Sequence, residues 1–261
     1  MTMNHDVVQH FSMGTWTLWL AWLTSFVGSL MGLSCVARAR RERRRSAKAR
    51  WTVAGAFAIG GVAIWLMHFI AMLGFAVMGS PVRYSVWLTA LSAVISVLVV
   101  GIGLFIVTQD RFTLRRLTCA GAVAGVGVAF MHYLGMASIR FQGVLTYDPT
   151  LVALSVLIAV VAATVAFWFT VMRATVARPV AGVVMAVAVT GMHYTGMAAV
   201  GVTVVPSLPV PLDAEAFDLV FPVFLISALL IASLLWALLT SVEPAAASAD
   251  QAHAGASNTR N

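Results

Sequence analysis

Charged residues are scarce in this chain, where Asp, Glu, Lys and Arg make up only 10% of the 261 residues. Soluble domains are nearer a quarter charged, so the composition argues against a soluble globular protein. Cysteine is nearly missing as well, since Cys35 and Cys119 are the only two. They are too few, and too far from the histidines, to form a thiolate metal site, and we interpret both as packing residues.

Hydrophobic residues fill the chain instead, at 61% of the total. An apolar run of roughly 18 residues or more is typical of a transmembrane helix. The sequence therefore predicts an all-α integral membrane protein with seven transmembrane helices. The predicted spans are Trp16–Ala37, Trp51–Met78, Tyr84–Val107, Leu117–Ile139, Leu151–Met172, Val180–Val205 and Asp218–Thr240.

The net charge of +7 comes largely from one basic loop, residues 38–50, between the first two spans. Basic residues near span ends mark the cytoplasmic side, so this is a topology signal and not evidence for nucleic-acid binding. The same charges favour contact with anionic lipid head groups. We predict the amino terminus outside and the carboxyl terminus in the cytoplasm. The same side also receives Arg111, Arg115, Arg116, Arg173 and Arg178, whereas the other side receives Arg83 and Arg140.

The predicted organisation has three parts: an outer tail (1–15), a membrane domain (16–240) and a disordered cytoplasmic tail (241–261). The outer tail carries Met1, Met3, His5, His10 and Met13, which could capture copper before it reaches the core, although we interpret the tail as flexible and polar. Because no soluble catalytic domain follows the last span, we expect a protein that is not an enzyme. It would act through its membrane part or through a separate partner at its cytoplasmic loops.

Three histidines, His68, His132 and His193, are the ionisable residues deep inside the apolar spans. Each follows a methionine in a six-residue motif, which reads MHFIAM at 67–72, MHYLGM at 131–136 and MHYTGM at 192–197. Ionisable groups inside a membrane are expensive and usually functional. The histidines recur at intervals of 64 and 61 residues. That period predicts three parallel two-helix repeats after a first helix, at about 51–107, 117–172 and 180–240.

Within each motif the histidine and the second methionine are four residues apart, about 40° from each other on one helix face. The pairs are His68 with Met72, His132 with Met136, and His193 with Met197. The first methionines, Met67, Met131 and Met192, lie about 100° from their histidines and reach only the edge of a shared site.

Thioether and imidazole donors together favour Cu(I), although imidazole alone would also suit zinc or iron. The sequence therefore predicts a shared metal site, with copper as the cofactor and zinc or haem as alternatives. The motif is also compatible with two roles that need no metal, which are packing between the repeats and a path for protons.

The motifs resemble the MHYT integral-membrane sensor family, named for the stretch that stands here at 192–195. The resemblance covers roughly residues 14 to 240. It implies a multi-pass protein of the bacterial cytoplasmic membrane, with a copper site near the outer face that senses oxygen, carbon monoxide or nitric oxide. The ligands that it implies are Met67, His68, Met72, Met131, His132, Met136, Met192, His193 and Met197.

The chain departs from the family pattern at Phe69, which replaces a tyrosine, and at Ala71, where the other motifs have glycine. Many family members carry a cyclic-dinucleotide signalling domain after the membrane part, and here we expect a stand-alone member. Two alternatives to a copper-based sensor remain: a copper-handling transporter or metal-insertion factor, and a haem-binding membrane redox protein.

Overall fold

The computed structural model describes residues 8–109, 113–171 and 178–241. Some predictions fall on residues outside this part of the chain. They concern residues 1–7, Arg111, Met172, Arg173 and the tail from residue 242 onward. Within it, seven helices are long and apolar enough to cross a membrane, which confirms the predicted fold class. They are α1 (Trp16–Ala39), α2 (Arg45–Met72), α3 (Val86–Val107), α4 (Leu114–Ala137), α5 (Pro149–Val171), α6 (Arg178–Ala198) and α7 (Ala216–Thr240).

The first six helices form a closed ring in which each packs against the next and α6 packs against α1. Motif helices α2, α4 and α6 therefore alternate with α1, α3 and α5. All three run in the same direction, because their motifs meet at one end of the ring.

The third motif helix, α6, packs against α1 in the ring. The repeat in the sequence instead predicts that it pairs with the last span, α7. Small residues explain this position of α1. Gly28 brings α1 against the backbone of Ala63 in α2, and Gly182 of α6 lies against Phe26 and Leu30 of α1. By contrast, α7 packs more lightly, against α1 and α2.

Two predicted spans end earlier than expected, because β-branched residues after the motifs form strands instead of helix. The second span ends at Met72 and the sixth at Ala198, and a strand follows each. The strands are β1 (Val8–Gln9), β2 (Ala76–Val77), β3 (Arg83–Tyr84), β4 (Ile139–Arg140), β5 (Gly143–Tyr147) and β6 (Val200–Val204).

These strands pair antiparallel as β1 with β2, β3 with β4, and β5 with β6. Each pair joins two segments that are distant in the sequence. The amino-terminal segment and the loops after α2, α4 and α6 therefore meet at one end of the ring, which we call the histidine end. The opposite end, where α1 finishes and α6 begins, is called the arginine end.

Helix α2 contains a π-helical segment, Phe57–Leu66, directly before its motif. Such wide turns are rare and often lie at functional sites, because they rotate the residues that follow them. Here Ser96 of α3 donates a hydrogen bond of 2.7 Å to the carbonyl of Gly60 in the segment. A segment of wide turns therefore lies directly before the first motif and is bonded to α3.

Candidate metal centre

The three motif histidines converge on one point at the histidine end of the ring. Nδ1 of His68 lies 3.0 Å from Nδ1 of His193 and 3.3 Å from Nδ1 of His132. The ring centroids are 5.0 to 5.1 Å apart and the rings stand nearly perpendicular to one another. The predicted convergence of the three imidazoles is therefore confirmed.

Two of the three nitrogen spacings are close to those of a three-coordinate metal centre, and the three ligand atoms lie within 4.8 Å of one another. Histidine nitrogens bind such ions at about 2.0 Å, which places three ligand nitrogens about 3.3–3.5 Å from one another. The observed distances of 3.0 and 3.3 Å need only a small expansion to reach that geometry. Among the described residues, this is the one group of three or more His, Cys, Asp or Glu side chains close enough to hold an ion.

Burial makes the convergence hard to explain without a ligand. The side chains are 4%, 0% and 1% exposed for His68, His132 and His193. A neutral imidazole carries one N–H and one lone pair, so facing Nδ1 atoms pair two at a time, donor to acceptor, and the third is left without a partner. Nε2 of both His132 and His193 has no hydrogen-bond partner, and a metal at Nδ1 would leave this unchanged. A cation between the Nδ1 atoms would use all three lone pairs at once, so the donor set fits a metal ion.

Glycines in the motifs provide the space for the imidazoles. A Cβ atom at Gly135 would overlap Nε2 of His68, and one at Gly196 would overlap Nε2 of His132. His68 and His132 thus each pack onto the glycine of the next motif around the ring. The small fifth position of these two motifs therefore leaves room for an imidazole. The first motif has Ala71 at the corresponding position, where it is buried.

The two sets of methionines lie in different parts of the core. Met72, Met136 and Met197 belong to one apolar cluster on the loop side of the histidines, together with Phe69 and Tyr84. Met131 and Met192 belong to the main cluster, which extends toward the arginine end, and Met67 to a third cluster against α1. The structure thus brings the second methionines together and separates the first, while sulfur ligation stays a prediction.

The aromatic residues after the histidines have three different environments. The Tyr133 hydroxyl is 2.7 Å from Oγ of Ser155, whereas the buried Tyr194 hydroxyl has no hydrogen-bond partner. Phe69 stacks against Trp65. Outside the spans, the Tyr84 hydroxyl donates to the carbonyl of Met72 at 3.1 Å, and burial raises the pKa of that hydroxyl well above its usual range. Tyr84 therefore stays neutral and fixes the end of the first motif helix.

His10 is a candidate functional residue whose position the sequence did not predict. Residues 8–15 are docked over the histidine end, where Ser12 donates from its backbone N–H and its hydroxyl to the carbonyl of Gly74, at 2.9 and 3.0 Å. Phe11 stacks on Tyr194, the residue after His193. His10 is half-buried beside Phe75. The pairing of β1 with β2, two elements far apart in sequence, creates this proximity.

An apolar cavity of about 50 Å³ lies inside the ring on the other side of the histidines. Small side chains such as Ala63 and Ala124 line it, and so does Met192, the neighbour of His193. Ser29 also lines it, and its buried hydroxyl has no hydrogen-bond partner. A second cavity between α5 and α6 shares Ala162, Met185 and Ala188 with the first. The two cavities are therefore neighbours, and these three side chains lie between the side of the ring and the space beside the third motif.

Comparison with protein families identifies two of the three repeats. The sequence model of the MHYT family, described as a bacterial signalling protein N-terminal repeat, matches residues 61–120 and 125–183. Those segments contain the first two motifs. The third motif lies beyond them, and its histidine completes the centre with the other two.

Similar proteins include bacterial signalling proteins. The bifunctional diguanylate cyclase/cyclic di-GMP phosphodiesterase MucR of Pseudomonas aeruginosa is 37% identical over 178 residues, 66% of this chain and 26% of that protein. The cyclic di-GMP phosphodiesterase NbdA of the same species is 33% identical over 183 residues, 65% of this chain and 22% of its own length. The signaling protein YkoW of Bacillus subtilis is 32% identical over 154 residues, 55% of this chain and 19% of its length.

The matched part of each relative is therefore about a quarter of its length or less. No solved structure matches the chain.

Proposed function

We propose a function for this chain from the family to which it belongs, the MHYT family of bacterial signalling proteins, and from its histidine centre. The chain is a multi-pass bacterial membrane protein with a three-histidine group that could hold a metal ion. Our proposal is a sensory module that holds copper in this centre and responds to a diatomic gas, redox state or copper supply. The observation that carries it is the convergence of three buried Nδ1 atoms at ion-binding spacing.

Copper suits the residues around the centre better than zinc or haem does. Three neutral imidazoles with thioethers close by are soft to borderline donors, which favour Cu(I). Zinc would take a fourth ligand and a tetrahedral site, and the metal-ligating group found here contains three histidines. Haem gains no support, since a porphyrin would have to enter between imidazoles whose centroids are about 5 Å apart.

The apolar cavities support a response to a small uncharged molecule. A gas that dissolves in lipid could approach between α5 and α6 and reach the cavity beside Met192 without crossing a polar surface. Copper in the centre would supply reversible binding of such a molecule and a change of oxidation state. The protein's own residues hold the imidazoles in place and exclude water from them.

Output is proposed to pass through a separate partner or a further domain and not through catalysis by the membrane helices. A bound ligand shifts a conformational equilibrium only if it binds one state better than the other. Each motif helix extends from the histidine end to the arginine end of the ring. A change in the distances between the Nδ1 atoms would therefore move the helix ends at the arginine end. There, the basic loop 38–50 is the surface that a signalling partner would meet in the cytoplasm.

The cytoplasmic membrane is the proposed location, with the histidine end outside. Reporter fusions test this orientation, and fusions after residues 45 and 113 should report cytoplasm while those after 81 and 146 report the outside. The opposite pattern would place the centre on the cytoplasmic side. The reason for our orientation is the excess of basic residues in the loops of the arginine end.

Metal analysis of the purified full chain, with infrared spectroscopy under carbon monoxide, tests the proposed centre. We expect about one copper per chain after loading with Cu(I), and a carbonyl band that disappears in His132→Ala. A strong haem absorption band without copper would replace this proposal with the haem alternative. Copper uptake into vesicles that depends on the protein would favour the transporter.

A further inference from the structure

A second candidate site lies at the arginine end, far from the histidines. A cavity of about 220 Å³ opens there between α1, α6 and α7. Three of its six lining residues are arginines. The lining consists of Ser34, Ala37, Arg38, Arg41, Arg178 and Leu238.

Arg38 is held in this cavity by contacts to two other helices. Its Nη2 donates to the carbonyl of Leu238 in α7 at 2.6 Å, and its guanidinium lies 5.2 Å from the ring centroid of Trp51 in α2. Its Nη1 is buried and has no hydrogen-bond partner. A buried charged donor without an acceptor costs more than an ordinary unmade hydrogen bond, so the site lacks an acceptor.

The lining residues that carry charge all have the same sign. In the described part of the chain none of the lining residues is acidic, and three guanidinium groups that share one cavity repel one another. Arginine forks also match the geometry of phosphate oxygens better than any other side chain does.

We propose that this cavity binds the phosphate of an anionic phospholipid head group. The phosphate oxygens would accept from Nη1 of Arg38 and from the guanidinium groups of Arg41 and Arg178. A lipid source is favoured over free phosphate because the cavity lies at the ends of three membrane-spanning helices, where head groups are concentrated. The bound lipid would join α6, which carries His193, to α1 and to the lightly packed α7.

Lipid retention by the purified full chain tests the proposal. Wild type, Arg41→Gln and Arg178→Gln are prepared in nanodiscs of phosphatidylglycerol with phosphatidylcholine, delipidated in mild detergent, and examined by native mass spectrometry. Arg45→Gln is the matched control, since it removes the same charge from the same basic stretch, residues 38–50, but Arg45 begins α2 and does not line the cavity. Arg38 itself is left unchanged because it also anchors α7.

We expect wild type and Arg45→Gln to retain one phosphatidylglycerol, and each of the other two variants to bind it about tenfold more weakly, as for one lost charge-assisted contact. Unchanged copper binding would show that the variants are folded. Equal loss in all three variants would overturn the proposal in favour of general charge attraction. Displacement of the lipid by millimolar inorganic phosphate would overturn the lipid source, and no retention by wild type would overturn the site.

Discussion

The two ends of the helix ring both gather three basic side chains, yet they arrange them in opposite ways. At the histidine end the side chains are almost completely buried and their nitrogens face each other at 3.0 and 3.3 Å. At the arginine end Arg41 is exposed and the three guanidinium groups surround an open cavity of about 220 Å³.

The contrast follows from the chemistry of the side chains. Imidazole can be neutral and can offer a lone pair, so three of them pack together in an apolar core. Guanidinium stays charged and only donates, so its groups remain near water and need an anion. One end therefore offers lone pairs that could hold a metal ion, and the guanidinium groups of the other offer hydrogen-bond donors only.

Removal of one histidine should have the largest effect on Cu(I) binding, and this effect should be confined to the histidine end. We expect His132→Ala to remove most Cu(I) binding, because it removes one of three converging ligands. Arg41→Gln should leave that binding unchanged. A chelator competition assay measures both variants, and equal losses would show that the two ends are not independent.

Crowding the histidine end without removing a ligand should have the next largest effect. A methyl group in Gly196→Ala would overlap Nε2 of His132, so we expect the affinity for Cu(I) to fall about 10- to 100-fold, as for other residues that orient ligands. Gly191→Ala in the same helix is the control, since nothing lies within 4 Å of its added Cβ. Similar behaviour of the two variants would contradict the packing of one motif onto the next.

Replacement of methionines should have smaller effects on Cu(I) binding. These effects should differ between the first and the second methionine of a motif. Leucine has a similar volume, so Met136→Leu removes the sulfur with little loss of packing. We expect about tenfold weaker Cu(I) binding for Met136→Leu and almost no change for Met131→Leu, because the second thioether shares a helix face with its histidine. Equal losses would indicate that the motif helix is rotated relative to the expected face.

His10 should affect the rate of metal exchange more than the affinity. Its half-buried ring lies in the segment docked over the histidine end, next to Phe11, which stacks on Tyr194, so we expect His10→Ala to slow loading of Cu(I) several-fold. Gln9→Ala, an exposed change in the same strand, should load at the normal rate. Stopped-flow transfer from a chromogenic Cu(I) chelator measures both. Faster loading in His10→Ala would instead identify the docked segment as a barrier.

Much of the fold could be predicted because it depends on local properties of the chain. Seven apolar runs of sufficient length are confirmed as helices, and the histidine period correctly indicated that three motifs meet. The ends of the second and sixth spans were predicted too late, at Met78 and Val205. Strand pairing to distant segments decided those ends, and apolar β-branched residues suit either a helix in lipid or a strand.

The sequence by itself determined the membrane class, the number of spans and the three histidines, since length, apolarity and a repeated motif are all readable along one chain. Only the tertiary structure decided that α1 sits beside α6, that His68 and His132 pack on Gly135 and Gly196, and that residues 8–15 dock over the histidine end. The arginine cavity depends likewise on residues from α1, α6 and α7. Such contacts join residues far apart in the chain, and they depend on how neighbouring helices fit together, which no local pattern contains.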